Sequence, residues 1–310
     1  MFLYHSRLPT YLLYVILITR FISVDNFHNL VKECTLEEYD SAVTLRTARL
    51  SQFCAGALIQ TRWVVTASHC VYMVRPPSAI RVMKKGTQSK SRTTIIKASK
   101  IYLQETYDPK TLENDVSLLF LERSFPQNIN FAVLPSTDLF LHLAHHNDDV
   151  GVVVTWSENR PWVQSKVMEP ICISVHIWNE TSCEIHYKYI FQDLTMFCTG
   201  SGPHGNHPCR GDSGGPLYVD NVLVGVVSFG VDCKLKNASS MFGRVDSALG
   251  FIEKAVASHE QKFMKKNFEG FDVYYVGVGQ DSGVGAKRYM FVIPVTLGCC
   301  VWLSNFGILI

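Results

Sequence analysis

Cys209-Arg210-Gly211-Asp212-Ser213-Gly214-Gly215-Pro216-Leu217 is the stretch on which the fold of this 310-residue chain turns. Its small residues leave one serine hydroxyl bare and keep backbone N–H groups free beside it. A serine hydroxyl is a weak nucleophile and needs a neighbouring base. Two upstream runs carry the missing groups. Trp63-Val64-Val65-Thr66-Ala67-Ser68-His69-Cys70 offers an imidazole, and Asn114-Asp115-Val116-Ser117-Leu118-Leu119 offers a carboxylate able to orient it. Singly, each residue has a bland reading as a structural histidine, a turn aspartate or an exposed loop serine. Their joint occurrence in the order His, Asp, Ser is what points to nucleophilic catalysis.

These three motifs resemble those of the chymotrypsin-like (trypsin-fold) serine peptidases, over roughly residues 30 to 260. The resemblance implies an all-β fold of two six-stranded antiparallel β-barrels, with the active site between them and a C-terminal helix. It casts Ser213 as nucleophile, His69 as the base that takes its proton, and Asp115 as the partner that fixes the His69 tautomer. The N–H groups of Gly211 and Ser213 match the oxyanion hole. The implied activity is hydrolysis of peptide bonds through an acyl-enzyme, with protein or peptide substrates, serine protease inhibitors as further partners, and no cofactor or metal.

The residues themselves agree with an all-β domain. From about Cys34 to Val245, apolar runs such as Ala57-Leu58-Ile59 and Val222-Leu223-Val224-Gly225-Val226-Val227 alternate with turn clusters of Gly, Pro, Asn and Asp. Past Val245, the spacing of Leu249, Ile252 and Val256 suits a helix. Apolar residues make up 47%, enough for a core, and a net charge of +2 with mixed signs gives no case for nucleic acid.

Of ten cysteines, eight fall in the matching region and Cys299-Cys300 lies in an apolar tail. That usage suggests an oxidising compartment. Sequence alone leaves the connectivity open. The resemblance implies Cys54 with Cys70, Cys183 with Cys198, Cys209 with Cys233, and Cys34 with Cys172. Another bridge common in the family is missing at both ends, where Gly151 and Val219 stand instead.

The ends of the chain read as processing signals. Residues 1–23, with Arg7 before an apolar run from Tyr11 to Ile18, fit a secretory signal peptide, and residues 24–260 the peptidase domain. Residues 261–288 read as a linker extension and 289–310 as a hydrophobic C-terminal tail. The tail is long enough to span a bilayer, but small residues around Asp281-Ser282-Gly283 also fit a GPI signal, and a segment packed on the domain is a third reading. Asn179-Glu180-Thr181 and Asn237-Ala238-Ser239 are glycosylation sequons. Together these features place the protein outside the cell, secreted or anchored to the outer surface.

Three departures from the family pattern bear on activity. Family members are cut after a basic residue to create an apolar N-terminus that pairs with the aspartate before the nucleophile, here Asp212. The matching start is His28, preceded by Phe27 rather than Lys or Arg. An Asp212 deprived of an ammonium would turn outward and carry the Gly211 N–H out of the oxyanion hole; a new amine near residues 24–30 or Lys32 could take the partner's place. At the pocket floor the resemblance puts His207, with Gly230 and Ser240 on the wall, Arg210 at the mouth, and Ser228 and Phe229 on the substrate-binding strand. Without an aspartate at the floor, no preference for Lys or Arg is expected, and acidic, small polar or apolar choices remain open. Lys84–Arg92, which matches a calcium loop of some members, has no acidic ligand, so calcium is not expected there. The alternative to an enzyme is a non-catalytic homologue that binds or regulates.

Overall fold

The computed structural model describes residues 39–84, 93–136, 150–156, 170–201, 207–230, 238–267, 271–277, 288–294, 301–304 and 307–308, with side chains up to residue 261. Six strands form a closed barrel: β1 (Ala42–Arg46), β2 (Gln52–Gln60), β3 (Trp63–Thr66), β4 (Arg81–Lys84), β5 (Thr94–Leu103) and β6 (Ser117–Leu121), in the order β1-β2-β3-β6-β5-β4. Strands β1, β3 and β6 are buried along their whole length, which is why β3 and β6 read as mainly apolar runs rather than as strict alternations, while β1 buries Thr44 and Arg46 as well. Aromatic packing covers part of this barrel, with Trp63 and Phe120 ring centroids 4.9 Å apart and the Arg62 guanidinium 4.1 Å above Phe120.

The second sheet holds β7 (Val150–Thr155), β8 (Ile171–His176), β9 (Met196–Thr199), β10 (Pro216–Val219), β11 (Val222–Gly230) and β12 (Ser240–Arg244), in the order β8-β7-β10-β11-β12-β9. All its pairings are antiparallel. Its two edges meet where Ile177 bridges Thr199, backed by Trp178 N–H to Cys198 O (3.0 Å) and Gly200 N–H to His176 O (2.8 Å). The interior is a cluster of Val153, Ile173, Val175, Ile177, Phe197, Leu217, Val224, Val227 and Phe242. Asp220 and Asn221, both at positive φ, make the tight β10–β11 hairpin turn that their side chains tolerate. The expected two six-stranded antiparallel sheets are therefore both present.

Two disulfides join described residues, Cys54–Cys70 and Cys183–Cys198, each closing a short loop and together stabilising the fold by several kcal/mol, about 3 each. Cys172 and Cys209 are also disulfide-bonded, while Cys34 and Cys233, expected as their partners, lie outside the described residues. Tyr218 opposite Val152 brings Val219 and Gly151 together one step further along β10 and β7, so the two ends of the missing bridge face each other.

Helix α1 (Glu180–Tyr187) starts at Asn179, whose Oδ1 accepts the Ser182 N–H at 2.9 Å. Helix α2 (Leu249–Asn267) follows the second sheet as the periodicity of Leu249 and Ile252 requires. The chain divides into two compact units, residues 1–252 and 253–310. In the second, β13 (Phe271–Gly277), β14 (Arg288–Pro294), β15 (Val301–Ser304) and β16 (Gly307–Ile308) form an antiparallel sheet in that order. The segment expected as a linker thus contains the end of α2 and a paired strand. The physical reason is visible in Phe271-Asp272-Val273-Tyr274-Tyr275-Val276, a run of aromatic and β-branched residues suited to a pleated surface. The apolar tail likewise forms strands where described, and no helix among the described residues is long and apolar enough to cross a membrane.

Candidate active site

His69 sits in a short 3-10 turn, Ser68–Cys70, directly after β3, and the Cys54–Cys70 disulfide holds that turn against β2. Asp115 stands just before β6, the strand paired with β3, so adjacent strands deliver both groups to one place. Asp115 is 1% exposed and accepts three hydrogen bonds. Oδ1 accepts the His69 backbone N–H at 2.8 Å, and Oδ2 accepts the His69 ring Nδ1–H at 2.7 Å and the Ser228 hydroxyl at 2.5 Å. A carboxylate that takes the Nδ1 proton leaves Nε2 as the ring's basic nitrogen. The imidazole remains 23% exposed, with Nε2 3.7 Å from Cys70 Sγ.

Ser213 is carried by the turn between Cys209 and β10. Its carbonyl accepts the Ala55 N–H of β2 at 2.8 Å, one residue from the Cys54 that is tied to Cys70. Gly214, at φ +75°, packs its bare Cα against Ala55 O, Ala67 N and Thr66 Oγ1 of the first barrel, while its N–H donates to Val227 O of β11 at 2.7 Å. The nucleophile's backbone is thereby pinned between the two sheets. Among the described residues, Ser213 Oγ makes no hydrogen bond; contacts of this kind commonly tighten when substrate binds.

The turn engages some amides and leaves others. Asp212 N–H donates to Cys209 O, Gly214 N–H to Val227 O and Gly215 N–H to Asp212 O. The N–H groups of Gly211 and Ser213 donate to nothing among the described residues, and both residues are partly exposed. Gly211, at φ +98°, has its carbonyl held by Gln52 Nε2 at 3.2 Å. Two adjacent unengaged donors beside a serine can bind a developing oxyanion.

Asp212 is fully buried, with Oδ1 accepting Trp156 N–H at 2.8 Å and Oδ2 accepting Cys209 N–H at 2.9 Å. Charge-assisted bonds to two backbone amides hold the carboxylate inside. His28, Lys32 and residues 24–30, the expected sources of its cationic partner, lie outside the described residues.

The expected pocket residues are distributed as follows. His207 is 4% exposed, with Nδ1 at 3.0 Å from Pro208 O, an acceptor that requires the proton on Nδ1. Arg210 and Gly230 are exposed, and Ser240 is fully buried. Phe229 is half-buried, its ring edge-on to Tyr187 with centroids 5.6 Å apart. Ser228, expected only on a substrate-binding strand, turns its hydroxyl to Asp115 instead. The signal for that role was a lone hydroxyl in the apolar run Val226-Val227-Ser228-Phe229, since a buried hydroxyl requires a partner. Tyr107 was missed altogether: burial first, then the charge of Asp115, then Tyr72 and Asp108 push its phenol well above the ordinary tyrosine range. Cys54, His69 and Cys70 bring ligand atoms within 4.8 Å of one another, but both sulfurs are bonded to each other and cannot hold a metal ion. Residues 85–92 of the basic loop, and Asn237, lie outside the described residues.

Comparison with known proteins agrees with this arrangement. The sequence model of the family described as Trypsin matches residues 31–252. The chain is 31% identical to Trypsin 5G1 of Aedes aegypti over 229 residues, covering 72% of this chain and 82% of that protein. It is 31% identical to Trypsin Tyr p 3.0101 of Tyrophagus putrescentiae over 241 residues (73% and 80%), and 26% identical to Trypsin eta of Drosophila melanogaster over 213 residues (67% and 79%). A double-sheet fold with a serine, an imidazole and a carboxylate at its centre defines a class, the serine endopeptidases. Within that class, this chain belongs to the trypsin family.

Proposed function

We propose that this protein is a secreted serine endopeptidase that cleaves protein or peptide substrates through an acyl-enzyme, with Ser213, His69 and Asp115 as its triad. His69 Nε2 takes the Ser213 hydroxyl proton as Oγ adds to the scissile carbonyl carbon, and the carbonyl oxygen becomes an oxyanion bonded by the Gly211 and Ser213 N–H groups. The protonated imidazole, stabilised by Asp115, gives that proton to the departing amine, leaving the acyl group on Oγ. Water then repeats the sequence, with His69 as base, and frees the acid. The observation that carries this reading is the doubly bonded His69–Asp115 pair beside two unengaged amides. Beyond Val227, β11 has left β10, so its Ser228–Gly230 end is open on one side among the described residues, where an extended peptide can pair.

Supporting extracellular placement are the formed disulfides, the signal-like residues 1–23, and the sequon at Asn179, whose capping bond uses Oδ1 and leaves the amide nitrogen for carbohydrate. Attachment through residues 289–310 is tested by release from cells with a phosphatidylinositol-specific phospholipase. The primary pocket is proposed not to favour Lys or Arg, because His207 stands where trypsin-like members carry an acid.

Labelling of the purified mature protein with a fluorophosphonate tests the activity. Rapid labelling of wild type and none of Ser213→Ala is expected; no labelling of either removes the enzyme reading. The second reading, a non-catalytic binder, is favoured by one feature, the absence of a basic residue before His28. Mass spectrometry of the mature N-terminus bears on it directly: a start far from residues 24–30 leaves Asp212 without the expected amine.

A further inference from the structure

Among the described residues, two fully buried hydroxyls in the second sheet have no hydrogen-bond partner, Ser240 Oγ on β12 and Thr199 Oγ1 on β9. They are directly opposed across the β12–β9 pair, so they share one face, and such a pair ordinarily bonds to itself. An unmet buried hydroxyl is a standing cost to a fold, and an alanine–valine pair would avoid it. On the other side of Ser240 stands its β11 partner Gly230, where a Cβ would come within 3.1 Å of Ser240 Oγ. Gly230 itself is exposed. Gly230, Ser240 and Thr199 thus form a row across three strands, running from the surface to a buried pair of hydroxyls. The outer end of the row lies two residues along β11 from Ser228, whose hydroxyl holds Asp115.

We propose that this row receives the substrate side chain on the amino side of the cleaved bond and that the Thr199–Ser240 hydroxyls select an uncharged carboxamide, as in glutamine. The proposal rests on the peptidase reading and names its substrate class. A carboxamide has both donors and acceptors, and each hydroxyl can donate and accept, so every group finds a partner. An apolar side chain leaves both hydroxyls unmet, a defect that sites built for hydrogen bonding reject strongly. A lysine or arginine needs a buried carboxylate, and Asp115 and Asp212 are engaged by His69, Ser228, Trp156 and Cys209. A glutamate would lose its water against two neutral hydroxyls.

The test uses Ser213→Ala protein, so that no chemistry intervenes, and measures by calorimetry at pH 8 the binding of four peptides identical except for a C-terminal Gln, Leu, Lys or Glu. The glutamine peptide is expected to bind at least about tenfold more tightly than the others. Adding Thr199→Val and Ser240→Ala together should erase that margin, whereas Thr199→Ser, which keeps the hydroxyl, should preserve it. Equal affinities, no binding of any peptide, or a margin that survives the double replacement overturns the proposal; tightest binding of the glutamate peptide does so too and assigns selection to His207. Glutamine-selective binding with no fluorophosphonate labelling of the wild type would instead remove catalysis and keep the pocket.

Discussion

Gly211 and Gly214, on either side of the nucleophile, and Gly250 in α2 separate backbone strain from steric collision, and replacing each by alanine gives three different outcomes. Gly214→Ala meets both penalties: φ is +75°, and the new Cβ would stand 2.6 Å from Ala55 O and 2.9 Å from Ala67 N, with Thr66 Oγ1 nearer still. Backbone strain at such a φ costs about 1–2 kcal/mol, and overpacking against atoms that cannot yield adds about 1–3. Gly211→Ala, at φ +98° with nothing within 4 Å of its Cβ, meets the strain alone. Gly250→Ala, in α2 with ordinary φ and open space, should gain up to about 1 kcal/mol from helix propensity. At roughly 2–4 °C per kcal/mol for a domain of this size, melting by calorimetry should fall about 5–15 °C for Gly214→Ala, about 2–8 °C for Gly211→Ala, and rise slightly for Gly250→Ala. Because Gly214 joins Ser213 to both sheets, its variant should also lose most fluorophosphonate reactivity. Equal destabilisation at Gly214 and Gly211 would refute the close packing of the nucleophile turn on the first barrel.

Other outcomes follow from the same geometry. Asp115→Asn should lower kcat/KM for peptide hydrolysis on the order of 10⁴-fold with a small change in melting temperature, because the amide disturbs the His69 tautomer; a loss under tenfold contradicts the assigned role. Ser228→Ala removes a charge-assisted bond to Asp115 and should cost about 1.5–3 kcal/mol in urea unfolding, and an unchanged midpoint would show that the hydroxyl does not support the carboxylate. Burial, opposed by the bond to Ser41 and aided by the neighbouring Tyr39, holds the Tyr218 phenol above its ordinary range. The unfolded phenol ionises near pH 10 and the folded one higher, so this stability is complete below about pH 10 and is lost as pH rises beyond it, at up to about 1.4 kcal/mol per pH unit. Urea titrations between pH 9 and 11.5 should show that slope, shallower in Tyr218→Phe.

Much of the site was legible because its motifs are local. The Gly211-Asp212-Ser213-Gly214-Gly215 turn needs small residues within a few positions, and His69 next to Cys70 marks a clamped loop; both can be read without knowing what lies opposite. The fate of Asp212 was not legible. Its direction depends on the Trp156 amide, 56 residues away, which accepts no prediction from local sequence. Nor could the strand character of residues 271–277 be read locally, since its partner strand Arg288–Pro294 falls almost wholly in residues 289–310, whose apolar run also fits a GPI signal or a membrane anchor.

By itself, the order of residues determined the chemical groups available, the strand-and-turn alternation, and the family, because these rest on side-chain type and short-range spacing. Tertiary structure alone decided that Ser228, 113 positions from Asp115, supports the same carboxylate as His69, and that Thr199 and Ser240 stand side by side with no hydrogen-bond partner among the described residues. Those juxtapositions are set by strand register and by how the sheet closes, and a shift of one residue would send each hydroxyl to the opposite face.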